Sequence, residues 1–205
     1  MEKTMGNESE ARDRIIQATI ELLKEVSEVE NVTVRIIAQR ANVGVGLINY
    51  HFHSRDNLLS IAIGSLMAKM AIDLREEQSV NEDSPTDRIR KMLKTLYSFG
   101  EKHEKLIQFL LTHGIVNGDM DAALYLVPML KEIFGSQKDE IQLRIIALQI
   151  LLPIQVASIS PSAFHHFTGI DLHNIKQRDN FIDTLVNNLL NNLITRKRFG
   201  SNEIS

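Results

Sequence analysis

The sequence predicts an all-α protein, with a small three-helix domain of helix-turn-helix type near the N-terminus and a larger helical bundle behind it. Three observations carry this. Apolar residues recur at three- and four-residue spacing along most of the 205 residues, and no period-two alternation is long enough for a useful strand. Three helix starts crowd between Thr33 and Ser54. After Ser54 the helices lengthen and their apolar stripes widen.

In chain order, Ile15, Ile16, Thr19, Ile20, Leu22, Leu23 and Val26 mark an amphipathic helix from about Ala11 to Val26, which leaves residues 1–10 as a flexible tail. Thr33 can cap the free N–H groups of a helix from Val34 to Ala41, whose apolar face is Ile36, Ile37 and Ala41. Asn42 tolerates the left-handed backbone and so can end that helix and turn the chain, and Gly44 can cap the next one, which runs through Phe52. Short helices meeting across a tight turn are a helix-turn-helix, with small Ala38 where the two cross. Ile36, Ile37, Ile48 and Phe52 are expected in its core. The first domain is therefore 11–55, and the second is 56–199, with helices near 56–77, 86–100, 103–114, 119–134, 138–158 and 178–197 and breaks at Pro85, Gly118, Gly135 and Pro161.

Composition narrows the function. A chain 43% hydrophobic and 24% charged is neither disordered nor fibrous. The lack of cysteine excludes disulfides, thiolate metal ligands and a cysteine nucleophile, and fits a cytoplasmic protein. The first ten residues contain no apolar signal region. The apolar run from Ile145 to Ile159 is interrupted by Gln149, Pro153, Gln155 and Ser158 and is shorter than the ~20 residues of a spanning helix, so it reads as buried in protein and no membrane partner is expected. Residues 1–30 carry net charge −4, whereas 31–58 carry +2, so the basic character lies where the helix-turn-helix lies. His165, His166 and His173 invite a metal reading, but adjacent helical residues point ~100° apart and no HExxH spacing exists. Arg196-Lys197-Arg198 suit the dipole at a helix C-terminus. Scattered carboxylates and serines outside any nucleophile elbow give no catalytic centre, so no enzyme, metal or cofactor is expected.

The run from Thr33 to Leu59 resembles the DNA-binding signature of the TetR family. The features that coincide are the Thr33 cap, Ile37-Ala38 before a small-residue turn, Gly46 early in the next helix, Tyr50-His51-Phe52, and Ser54-Arg55-Asp56 before Leu58-Leu59. Three positions depart from the family pattern: Gly44 where Ser or Thr is common, Asn42 where Gly is common, and Asn49 where Tyr is usual. The resemblance implies a homodimeric regulator, a repressor released from palindromic double-stranded DNA by a small-molecule effector. In a helix-turn-helix the second helix enters the major groove, which places Val45, Leu47 and Asn49 at base edges, with Gly46 allowing close approach and Gly44, at the cap, also in the DNA-binding set. Thr33, Arg35, Tyr50, His51 and Arg55 suit phosphate contacts. Arg40 is expected on a solvated face.

The resemblance also implies dimerisation through the last two long helices as a four-helix bundle, with Leu148, Leu152, Gln155, Phe181, Leu185, Asn188, Leu189 and Asn192 at the interface. Phe99, Phe109, His113, Met129, Phe134, Phe164 and Phe167 are candidates for lining an effector pocket, and the few charges around them suit an apolar or amphipathic ligand. Two other readings stay open: a helical ligand-binding or scaffolding module that does not use DNA, and a histidine-metal enzyme.

Overall fold

The computed structural model describes residues 2–26, 29–79 and 83–199, with side chains over 9–26, 29–76 and 83–190. Among them the chain is helical, without strands, in ten α-helices: α1 (Glu2–Glu25), α2 (Val34–Ala41), α3 (Val45–Phe52), α4 (Arg55–Ser79), α5 (Pro85–Glu101), α6 (Glu104–Val116), α7 (Val127–Phe134), α8 (Glu140–Ile159), α9 (Pro161–Thr168) and α10 (Ile175–Phe199). They divide into two compact units, Met1–Met67 with Lys105–Leu110, and Ala68–Glu104 with Leu111–Ser205. The boundary expected at residue 55 thus falls inside α4, because Leu58, Leu59, Ala62, Ile63 and Leu66 on its first turns are buried.

In the N-terminal unit, α1 buries Ile15, Ile16, Ile20, Leu22 and Leu23 as its periodicity requires, and the Thr19 hydroxyl donates to the Ile15 carbonyl (2.7 Å). The helix starts at Glu2 rather than Ala11: no proline interrupts the expected tail, and acidic side chains favour a helix N-terminus. Val32, Ile37, Ala38, Ala41, Ile48 and Phe52 complete the core. Ile36 is the exception among the expected core residues, at 42% exposure. The short α2 buries only the arc holding Ile37, Ala38 and Ala41, and Ile36 projects ~100° from Ile37.

In the C-terminal unit, α5, α7, α8 and α10 enclose Ile89, Met92, Leu93, Met129, Leu130, Phe134, Ile146, Ile150, Ile182, Val186 and Leu190. Ser84 caps α5, with Pro85 in its first turn, where a missing N–H costs nothing. Beside the apolar core, α5 is tied to α10 by polar contacts: Arg90 to Asn187, the Lys94 ammonium to Asp183 (2.7 Å), and Arg178 to Glu101 (2.9 Å) and Ser98 (3.1 Å). Arg178 is 3% exposed and also lies over the Tyr97 ring, so its charge is buried but fully answered.

Three expectations change here. The helix expected over 119–134 is a 3-10 turn, Asp121–Tyr125, followed by α7, because Pro128 cannot continue a helix but is tolerated in a first turn. Pro161 does not simply break the chain; it opens α9. The apolar run expected to be buried belongs to a 20-residue helix, started at Glu140 by a capping box between Asp139 and Gln142, and its Ile141, Ile145 and Val156 are exposed. By length and composition α8, like α4, could cross a membrane.

Candidate nucleic-acid interface

The turn between α2 and α3 forms as its residues dictate. The Thr33 hydroxyl accepts from the Ile36 N–H (3.3 Å), and Asn42 takes the left-handed conformation (φ 53°, ψ 51°). The N–H groups of Asn42 and Val43 close the helix end on the carbonyls of Gln39 (3.3 Å) and Ala38 (3.0 Å). Gly44 then precedes α3 with no capping side chain. At the far end Ser54 caps α4 by accepting from the Asn57 N–H (3.1 Å), and the Asn57 side-chain amide donates to the Phe52 carbonyl (2.9 Å), fixing where α3 stops.

With Ile48 and Phe52 buried, α3 turns Val45 (41% exposed), Asn49 and Tyr50 (66% exposed) outward, and Leu47 stays half-buried. A Cβ added at Gly44 or Gly46 would meet nothing within 4 Å. Glycine inside a helix costs about 1 kcal/mol relative to alanine. No neighbour among the described residues demands it at Gly46, so that face is smooth and open without internal need.

The basic residues divide. Arg35 is exposed and makes no ion pair or hydrogen bond recorded among the described residues. Arg40, expected on a solvated face, is held by α1 through a paired contact to Glu25 (2.9 and 2.7 Å) and by Glu21 (3.5 Å). That contact keeps the Glu25 carboxyl below its usual range. Arg55 does not present itself to a phosphate. Its Nε donates to the Val32 carbonyl (2.8 Å), one terminal nitrogen to the Val29 carbonyl (2.5 Å) and the other to Asp56 (3.0 Å). It clamps the turn before α2 onto the start of α4. His51 is half-buried between the Tyr50 and Phe52 rings, and its Nε2 is enclosed without a hydrogen-bond partner, so this nitrogen is not offered outward either.

The candidate effector residues are brought together only in part. Met129 and Phe134 are in the C-terminal core, Phe99 lies against His103 (5.2 Å between rings), and Phe164 lies against Phe181 (4.9 Å). His113 is exposed, Phe109 is 39% exposed in a stretch of α6 that clusters with the N-terminal unit, and Phe167 is 90% exposed. Of the candidate interface residues, Leu148, Phe181, Leu185 and Leu189 back onto their own core. Leu152 and Gln155 are half-exposed, Asn188 is exposed, and the side chain of Asn192, like those of Arg196, Lys197 and Arg198, lies outside the described residues. The exposed apolar residues on α8 are Ile141, Ile145 and Val156, which sequence reasoning did not single out. With Leu148 and Leu152 they recur every three or four residues, a seam that periodicity alone could have flagged.

His165, His166 and His173 are exposed, and His173 lies 3.4 Å from a Glu101 oxygen. Among the described residues no three metal-ligating side chains converge. What the geometry defines is a helix-turn-helix with an uncluttered second helix.

Residues 15–60 match the family model for bacterial regulatory proteins of the tetR family. Over 89 residues the chain is 28% identical to the HTH-type transcriptional regulator BetI 1 of Chromohalobacter salexigens, covering 43% of this chain and 44% of that one. Over 88 residues it is 25% identical to BetI of Stenotrophomonas maltophilia, with the same coverage. The chain thus spans less than half the length of the curated relatives it matches. Among solved structures its fold resembles Thermus thermophilus FadR, a TetR-family transcriptional repressor in complex with lauroyl-CoA (TM-score 0.61, 16% identity, 85% of this chain and 92% of that one). It also resembles a TetR transcriptional regulator from Rhodococcus sp. RHA1 (TM-score 0.58, 16% identity, 89% and 97%). Residues 15–60, within the first unit, thus match the DNA-binding domain of the tetR family, and the chain shares its fold with solved TetR regulators.

Proposed function

We propose that the chain is a cytoplasmic transcription regulator that binds a palindromic operator as a homodimer and represses until a small amphipathic effector releases it. The observation that carries this is the open face of α3. Val45, Asn49 and Tyr50 point outward past Gly44 and Gly46, where a side chain would meet none of the described residues. Such a face suits the close approach of a base-pair edge in the major groove. Arg35 and Thr33 at the start of α2 suit phosphate contacts.

The α8 stripe of Ile141, Ile145, Leu148, Leu152 and Val156, continued by Ile175 and the half-buried Leu185 and Leu189 of α10, suits a second copy packing as a four-helix bundle. Twofold symmetry would then set two α3 helices about one DNA turn, ~34 Å, apart. An effector acts only if it binds the released conformation more tightly. The continuous helix α4, whose residues fall in both units, is the element through which an effector in the C-terminal unit would reach α3. Phe99, Met129, Phe134 and Phe164 remain candidates to meet its apolar part, and the lauroyl-CoA bound by the Thermus thermophilus protein fits that ligand class.

Selection of random duplex DNA on the purified protein at two salt concentrations tests the reading. An enriched palindrome whose binding weakens with salt is expected, since phosphate contacts release counterions. Absence of enrichment at either salt would favour the helical module that does not use DNA.

A further inference from the structure

The side chains on α3 say which bases it can read. The helix, Val45 to Phe52, contains no Arg, Lys, Asp or Glu. Guanine is commonly read in the major groove by Arg or Lys, bidentate to O6 and N7, and cytosine by a carboxylate accepting from its N4 amine. Neither chemistry exists on this helix, and three nearby arginines are held elsewhere: Arg40 by Glu21 and Glu25, Arg55 by the Val29 and Val32 carbonyls, and Arg12 over the Phe52 ring at 5.5 Å. What α3 does present is one amide, Asn49, an aliphatic side chain, Val45, 41% exposed in its first turn, and Tyr50, whose phenol hydroxyl suits a phosphate oxygen. An amide pairs bidentately with adenine N6 and N7, and an aliphatic group packs on the C5 methyl of thymine.

Resting on the DNA-binding reading above, we propose that α3 reads A·T pairs only, Asn49 through adenine and Val45 through the thymine methyl group. Any guanine preference in the half-site then falls outside the reach of α3, where Arg35 on α2 is an exposed cation without an ion pair among the described residues.

Thymine differs from uracil by that one methyl, so the contact can be deleted from the DNA side without touching the protein. In the site enriched by selection, the positions whose preference relaxes in Asn49→Ala or Val45→Ala should be A·T. Asn49→Ala should lower affinity about 5- to 150-fold for each half-site engaged, with the loss of discrimination confined to one adenine per half-site. Replacing the paired thymine by deoxyuracil should weaken the wild type about fourfold per methyl and leave Val45→Ala unaffected. Both side chains are exposed, and unchanged melting of the variants confirms that each is folded. An enriched site with G·C at the positions that these variants relax, or wild-type affinity indifferent to deoxyuracil, overturns the proposal while leaving the regulator reading intact. No enriched site at all overturns both.

Discussion

Arg55 separates two roles that look alike in the sequence. Replacing it with alanine removes the guanidinium that joins the Val29 and Val32 carbonyls to the start of α4. Hydrogen bonds to a charged group contribute about 1.5–3 kcal/mol each. The Arg55 side chain is 31% exposed, which favours the lower end for the two carbonyls, and the Asp56 contact, whose carboxylate is 61% exposed, adds little. The expected loss is about 3 kcal/mol, or a fall in Tm of roughly 6–12 °C for a chain of this size. Thermal melting by circular dichroism measures the first effect, and operator affinity against salt, taken well below the melting range, measures the second. The salt dependence should keep its slope in Arg55→Ala, whereas loss of a phosphate contact lowers that slope by about one for each site neutralised. An unchanged Tm with a lowered slope would refute the clamp and restore Arg55 to the DNA-contacting set.

Gly46→Ala should stabilise the protein by up to ~1 kcal/mol in urea unfolding while weakening operator binding at least about tenfold, because no described residue lies within 4 Å of the added methyl and, on the proposed reading, DNA would; undiminished binding would remove Gly46 from the interface. The Arg88 side chain, 7% exposed with its Nε unpartnered, is paired with Glu132, so Glu132→Ala, which strands the buried cation, should cost about 2 kcal/mol and more than Arg88→Met; equal costs in urea titration would contradict this. Ile145→Glu on the α8 stripe should give monomers in analytical ultracentrifugation with a near-native helical spectrum and impaired operator binding, and persistence of a dimer would exclude that face. Burial, with some repulsion from Lys102, holds the His103 imidazole below its ordinary range. The unfolded chain therefore takes up the proton first, and this contribution to stability is lost as pH falls through ~6.5. His103→Gln should flatten the decline in Tm between about pH 7 and about pH 5.5, and an identical decline would assign it to other groups.

The helix-turn-helix was legible because its determinants are local. Thr33 capping a helix and Asn42 ending it in the left-handed region are decided within a few residues, and both occur as their chemistry implies. The split at Pro128 was equally local but masked by apolar periodicity on either side. Arg55 was not legible: its partners are backbone carbonyls 23 and 26 residues away, which carry no side-chain signature. Arg40 had a visible clue, since Glu21 and Glu25 are one helical turn apart on α1, though only the fold shows that α2 lies against them. Ile36 shows how a short helix misleads, because too few turns exist for the apolar arc to be centred from sequence. Phe109 and Phe167 fell outside the core for a simpler reason: apolar side chains carry no mark that distinguishes a core, a surface and a ligand site.

The central claim, that two copies of α3 enter successive major grooves, is tested most directly by hydroxyl-radical footprinting of the selected duplex. Two protected patches on one face of the DNA, centred about one helical turn apart and both lost in Ile145→Glu, are the predicted result. A single patch, or uniform weak protection without a centre, would contradict it.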